Sequence, residues 1–257
     1  MTHTIAVAGK GGTGKTTFSG LLVDYLAGRK DGLVLAVDAD ANSNLNEVLG
    51  IEVEETLGEI REDIAESGIA AEPKVPAGWS KQQYMDYRFQ NAVAEEDGYD
   101  LLVMGRTQGK GCYCFVNGLL QAEIARVAGN YRYIVVDNEA GMEHISRGIL
   151  PRIDTLLLVS DCSRRGIQAV GRIARLAEEL KISPRTVGLI VNRAPEGALS
   201  EGIKEEIETQ GLELLGVMPQ DDTVYRFDSD GRPIVEIPKE APVRKAFDAI
   251  VRKLKFD

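Results

Sequence analysis

Two short stretches hold residue types at spacings that could do chemistry. The first is Gly9-Lys10-Gly11-Gly12-Thr13-Gly14-Lys15-Thr16-Thr17. Gly9, Gly14, Lys15 and Thr16 satisfy the pattern G-x-x-x-x-G-K-[ST] of a phosphate-binding P-loop. Glycines let successive backbone N–H groups turn inward and form a nest for phosphate oxygens. The helix that follows adds the positive end of its dipole. Lys15 is then expected to reach the β- and γ-phosphates, the Thr16 hydroxyl to hold Mg²⁺, and Thr17 to cap the α-phosphate. A plain glycine-rich turn is the bland alternative.

The second stretch is Arg106-Thr107-Gln108-Gly109-Lys110-Gly111-Cys112-Tyr113-Cys114-Phe115. Cys112 and Cys114 are two of only three cysteines, and they stand as C-x-C in a glycine-rich loop. Two thiolates fill half of a closed four-ligand metal site. Most homo-oligomers are two-fold dimers, which bring the same patch of each subunit together. The four thiolates of two copies would suit Zn²⁺ as a tetrahedron or Ni²⁺ as a square plane. Lys110 and the helix start after the loop would lower the thiol pKa and favour metal. A packed core pair and a redox pair are the competing readings.

These residues need elements to position them. The apolar run Ile5–Ala8 reads as the strand before the P-loop, and Phe18, Leu21, Leu22, Tyr25 and Leu26 mark one face of the helix after it. Further strands are expected at Leu33–Val37, Asp100–Gly105, Tyr133–Val136, Thr155–Ser160, Thr186–Val191 and Leu214–Val217. Helical patterns separate them, at Val116–Ala128 and again with Ile167, Val170, Ala174, Ala177 and Leu180 inward. This alternation predicts an α/β fold, a mostly parallel sheet with helices on both faces. No linker or repeat divides the chain, so residues 1–257 read as a single domain. Residues 51–98 read as a possible insertion beside the nucleotide face, with an acidic surface helix and an aromatic group, Trp79, Tyr84, Tyr87 and Phe89, open to packing or docking.

Composition narrows the class. The chain has 257 residues, 30 Lys and Arg against 40 Asp and Glu, and a formal charge of −10. That balance argues against non-specific nucleic-acid binding, which needs a basic footprint. No apolar run approaches the length of a membrane span. The first strand begins near residue 4, leaving no room before it for a secretory leader. Few cysteines, an acidic surface and no leader together predict a cytoplasmic protein without stable membrane insertion.

The P-loop with its early Lys10 resembles the deviant Walker A loop of the nitrogenase iron protein and partition-ATPase superfamily. The resemblance implies an ATP-hydrolysing homodimer in which Lys10 crosses to the partner's nucleotide. Such a charge supplied in trans is worth about 10³–10⁵ in rate elsewhere. Asp38-Ala39-Asp40-Ala41-Asn42-Ser43-Asn44 looks like switch I, implying that Asp40 orients the attacking water and Asp38 supports the Mg²⁺ shell. An Asp-rich turn capping a helix at Leu45 is the alternative. Asp137 ends a buried strand at the Walker B position and is expected to bind a water of that shell. Gly141 looks like the switch II glycine. The resemblance assigns Asn192, followed by Arg193, to adenine recognition, and the Pro219-Gln220-Asp221 loop to the flank of the base.

With C-x-C before the Walker B strand, the chain resembles the CooC family, nickel-insertion accessory ATPases of carbon monoxide dehydrogenase. That implies ATP and ADP, Mg²⁺ and nickel or zinc as ligands, and carbon monoxide dehydrogenase as partner. Two rivals stay open. One is a partition or positioning ATPase acting on DNA or membrane. The other is an iron–sulfur redox or scaffold ATPase. Four further features have bland readings. His144 is expected on a helix surface and Cys162 as a small packing residue. Arg164 and Arg165 face either a partner's phosphates or solvent. The basic, amphipathic Val243–Leu254 helix is expected to pack on the sheet rather than lie on a membrane.

Overall fold

The structure is a computed structural model that describes residues 1–66, 76, 78–106, 114–140 and 152–256. One eight-stranded sheet runs through it. Its strands are β1 (His3–Gly9), β2 (Val34–Ala39), β3 (Val93–Glu96), β4 (Tyr99–Val103), β5 (Tyr133–Asn138), β6 (Thr155–Asp161), β7 (Thr186–Ala194) and β8 (Leu214–Pro219). They lie in the order β3-β4-β2-β5-β1-β6-β7-β8. Every pairing is parallel except β3 with β4. Strands buried on both faces must be apolar nearly throughout. That is why β1, β2, β5 and β6 are legible as continuous apolar runs.

Alternate residues of each strand feed opposite layers. Ile5 and Val7 face α1 (Lys15–Gly28) and the C-terminal helix Pro242–Val251, in a core with Phe18, Leu22 and Phe247. Ala6 and Ala8 face the other side, against the helices Arg164–Glu179 and Glu201–Thr209, which contribute Ile167, Val170, Ile203 and Ile207. Leu35 and Val37 meet α3 (Leu57–Glu66), which follows the short α2 (Leu45–Leu49), and α5 (Cys114–Val127), which follows α4 (Lys81–Asn91), through Leu57, Ile60, Leu120 and Ile124. The α/β fold with helices on both faces is therefore as expected.

Some local expectations change. The acidic stretch after residue 51 is not a purely surface helix, because Leu57 and Ile60 are fully buried beneath its glutamates. Trp79 and Tyr87 remain exposed and meet edge to face at 5.3 Å, whereas Phe89 is buried. Leu180 does not turn inward: the helix ends at Glu179, and Leu180 is 41% exposed at its C-cap. Arg164 is held by Glu206 at 2.8 Å rather than facing solvent alone. Cys162 is half-buried beside the Ile167 cluster, as a packing residue would be.

The C-terminal helix packs as expected. Val243, Phe247, Ile250, Val251 and Leu254 are buried, Phe247 meeting Phe18 edge to face at 5.2 Å. Two of its flanking cations are engaged as well. Arg244 pairs with Asp24 at 2.8 Å, and the Lys253 ammonium donates to the Leu215 carbonyl. Among the described residues, no helix is long and apolar enough to cross a membrane.

Candidate nucleotide site

The site begins where β1 hands over to α1. Gly9 is the last residue of β1, and a Cβ there would stand 2.1 Å from the Val159 carbonyl of β6. Only glycine lets the two strands stay this close while the chain leaves the sheet. Gly12 and Gly14 have φ of +76° and +90°. Among the described residues, a Cβ on Gly12 would meet nothing within 4 Å, so on this side the loop is left uncovered by them. The turn is closed from below: the Thr13 hydroxyl donates to the Lys10 carbonyl at 2.9 Å, and Lys15 Nζ donates to the same carbonyl at 3.3 Å.

A groove of about 840 Å³ lies over this loop. It brings together Gly11, Gly12, Gly14, Lys15, Thr16, Thr17, Asp40 and Arg193. A second groove of about 480 Å³ adjoins it through Thr17 and Arg193 and is lined by Asn192, Pro219 and Asp221. The carboxyl end of β1 is where successive connections part toward opposite edges of the sheet, the usual place for a ligand in an open α/β sheet. Lys10 points elsewhere. It is exposed and lines a separate shallow groove with Ala140 and Leu176.

Behind the loop sit two buried carboxylates. Asp38 of β2 and Asp137 of β5 are register partners. Burial, with the neighbouring Asp38 charge adding to it, pushes the Asp137 carboxyl up to about 7; Thr16, Lys15 and Ser19 pull the other way. Burial likewise lifts Asp38 to about 6 against backbone N–H donors. The pair is short of positive charge. A hydroxyl and carboxylates are hard oxygen donors, so the set fits Mg²⁺. Asp38 also meets the capping alternative, since its Oδ2 accepts from the Leu45 N–H at 2.9 Å.

Several side chains named from the sequence have structural partners here. Asn192 Nδ2 donates to the Thr13 carbonyl at 2.9 Å, and Asn192 Oδ1 accepts from the Arg193 N–H. Its amide thus props the P-loop from β7. Asp221 accepts from the N–H of Thr223 at 2.9 Å and of Val243 at 3.0 Å, fastening two helix starts together. Arg193 adopts φ +56°, a left-handed conformation rare for a residue with a side chain. Cys112, Gly141 and His144 lie outside the described residues. Cys114 opens α5. Among the described residues no group of three or more His, Cys, Asp or Glu could hold a metal.

Sequence reading missed three residues. Ser19 is fully buried and donates to Asp137 Oδ1 at 3.1 Å. Its place one turn past Thr16, on the same helix face, was the available signal. Asn138 donates to the Val7 carbonyl at 2.9 Å, tying the end of β5 to β1. Asn42 donates through both its backbone N–H and its Nδ2 to Asp40 Oδ1, at 2.8 and 3.0 Å.

Comparison with known proteins agrees with this geometry. Residues 4–234 match the family described as CbiA, the CobQ/CobB/MinD/ParA nucleotide binding domain. An uncharacterized ATP-binding protein of Methanocaldococcus jannaschii is 39% identical, over 97% of each chain. The carbon monoxide dehydrogenase accessory protein CooC of Rhodospirillum rubrum is 28% identical, over 88% of this chain and 87% of its own. Among solved structures, the septum site-determining protein MinD complexed with Mg-ADP, from Pyrococcus horikoshii, superposes with a TM-score of 0.72 at 21% identity, over 98% of this chain and 96% of its own. With a groove of about 840 Å³ over its P-loop and a family match across most of its length, the chain belongs to the CobQ/CobB/MinD/ParA family and is a P-loop ATPase.

Proposed function

We propose that this ATPase is a metallochaperone. It dimerises with ATP, binds nickel or zinc through Cys112 and Cys114 at the dimer interface, and assists nickel insertion into carbon monoxide dehydrogenase. The observation that carries the reading is the C-x-C pair in a chain related over most of its length to a carbon monoxide dehydrogenase accessory protein. Topology supports it. β4 pairs in parallel with β2, so β4 ends on the same side of the sheet as Asp38 of β2 and Asp40 just after it, and Cys112 and Cys114 follow β4 in the sequence. Residues 1–257 act in this reading as one domain.

The residues divide the work. Lys15 and the N–H groups of the glycine loop would hold the β- and γ-phosphates, with Thr17 at the α-phosphate. Thr16 and, through water, Asp137 and Asp38 would hold Mg²⁺, whose charge offsets the negative charge that develops on the phosphate oxygens. Asp40 would orient the attacking water. Lys10 of a second copy would add charge in trans, and Gly141 would sense the γ-phosphate. Asn192, Arg193, Pro219 and Asp221 would frame the base. Hydrolysis would then open the dimer and release its hold on the metal.

MinD and ParA relatives support a positioning ATPase as a second reading. The net charge of −10 and the C-x-C pair count against it. The test is reconstitution. Nickel-free carbon monoxide dehydrogenase is incubated with limiting Ni²⁺, ATP and this protein. The proposal expects faster gain of activity than with Ni²⁺ alone, lost with a non-hydrolysable analogue or with Cys112→Ala/Cys114→Ala. Equal rates with and without the protein would reject it.

A further inference from the structure

Asp40 does not stand alone at the groove. Its Oδ1 accepts both bonds from Asn42, which lines the same groove. The remaining side-chain atom of that amide, Asn42 Oδ1, accepts from the Arg106 guanidinium. Arg106 comes from another element, 64 residues away, at the exit of β4. A carboxylate held by a single flexible neighbour would sample many rotamers. Here the amide is engaged at both ends, so the Arg106 bond fixes the orientation in which Asn42 Nδ2 meets Asp40.

Arg106 is itself set on a fixed bracket. The Met104 N–H donates to the Asp38 carbonyl at 2.9 Å, extending the β2–β4 pairing one step past the strand. The Gly58 N–H donates to the Met104 carbonyl at 2.8 Å. Packing here leaves no slack. A Cβ on Gly58 would lie 2.4 Å from the Arg106 carbonyl, and one on Gly105, which has φ +69°, would lie 2.4 Å from Thr56 Oγ1. The start of α3 therefore clamps residues 104–106 against the end of β2. Thr56 and Glu59 lock that helix start in turn, the Thr56 N–H donating to Glu59 Oε2 at 2.7 Å.

We infer that Asn42 and Arg106 are positioning residues for ATP hydrolysis: the bond from Arg106 to Asn42 holds the Asp40 carboxylate at the groove. The inference rests on the reading of Asp40 as the group that orients water. It gives residues 51–66 a task, as the bracket that sets Arg106. It also ties the hydrolytic carboxylate to the residue at which the chain enters the Cys112–Cys114 stretch.

The test is steady-state ATPase kinetics on the full chain with Asn42→Ala, Arg106→Ala, Arg106→Lys, the Asn42→Ala/Arg106→Ala double variant and Asp40→Asn. Misplacing a reacting group by about 1 Å can cost on the order of 100-fold. The expected result is a fall in kcat of roughly tenfold to 100-fold for each Ala variant, with KM for ATP within about twofold. The double variant should be no slower than the worse single one, because the two residues act through one bond. Arg106→Lys should recover part of the rate. Melting temperatures measured alongside should stay close to the wild type, which separates positioning from unfolding. If Asp40→Asn abolishes turnover while both Ala variants turn over at the wild-type rate, the inference fails and the reading of Asp40 stands. If Asp40→Asn itself keeps the wild-type kcat, that reading fails and takes the inference with it. Additive losses in the double variant, or losses confined to KM, would also overturn it.

Discussion

Asp38 and Asp137 stand directly opposite each other in the parallel pairing of β2 with β5, and both are buried. Two carboxylates in that position resist being charged together. Burial sets Asp137 to about 7 and Asp38 to about 6, above the ordinary value of 3.8. Their folded-state pKa values are raised, so the fold keeps protons that the unfolded chain has already released. The stability these groups lend is complete below about pH 4 and is lost as pH rises toward 7. A bound divalent cation favours the ionised pair. Mg-ADP should therefore bind more tightly at pH 8 than at pH 6 and release protons on binding. Calorimetry in buffers of different ionisation enthalpy reads both; an affinity flat across this range would contradict the charge-deficit account.

The two loop lysines should separate by role. Lys15 is buried in the loop, whereas Lys10 is exposed. Lys15→Ala is expected to lose ATP turnover by at least about 100-fold, the scale of removing one preorganised donor. Lys10→Ala should keep nucleotide affinity and lose turnover only under conditions where the wild type dimerises. Turnover of Lys10→Ala equal to wild type at every protein concentration would defeat the role in trans.

Gly14→Ala should be severe. The residue sits at φ +90°, and a Cβ would stand 2.2 Å from Asn192 Nδ2, the group that props Thr13. The left-handed conformation alone costs about 1–2 kcal/mol with a side chain, and displacement of Asn192 loosens the loop. We expect a lower melting temperature and loss of ATP binding. Gly118→Ala in α5 is the contrast, because among the described residues nothing lies within 4 Å of its Cβ position. It should stabilise by about 0.5–1 kcal/mol. Equal effects of the two changes would contradict the assignment of Gly14.

The C-terminal helix should behave as core. Phe247→Ala removes an aromatic ring that is 1% exposed and should cost about 3–5 kcal/mol. With its apolar face so used, the ATP-bound wild type should not co-sediment with anionic vesicles. Strong co-sedimentation would revive the positioning reading.

Much of this was legible because buried parallel strands write themselves as apolar runs and the P-loop as closely spaced glycines. β3 was missed although its turn was written in Asp97-Gly98, with Gly98 at φ +89°. The core face of α3 was masked by its glutamates. Long-range partners left no local trace at all. Asn192 meets Thr13 across 179 residues, Arg106 meets Asn42 across 64, and Arg164 meets Glu206 across 42. Spacing can nominate a polar residue, but only the fold says what it spends its hydrogen bonds on.

The most direct test of the metallochaperone account is metal stoichiometry with mass measured on the same sample. Wild type and Cys112→Ala/Cys114→Ala are each loaded with Zn²⁺ or Ni²⁺, with and without a non-hydrolysable ATP analogue. The account predicts one metal ion per dimer in the wild type and none bound tightly in the variant. No tightly bound metal in the wild type, or metal that survives the loss of both cysteines, would contradict it and leave an ATPase with a different client.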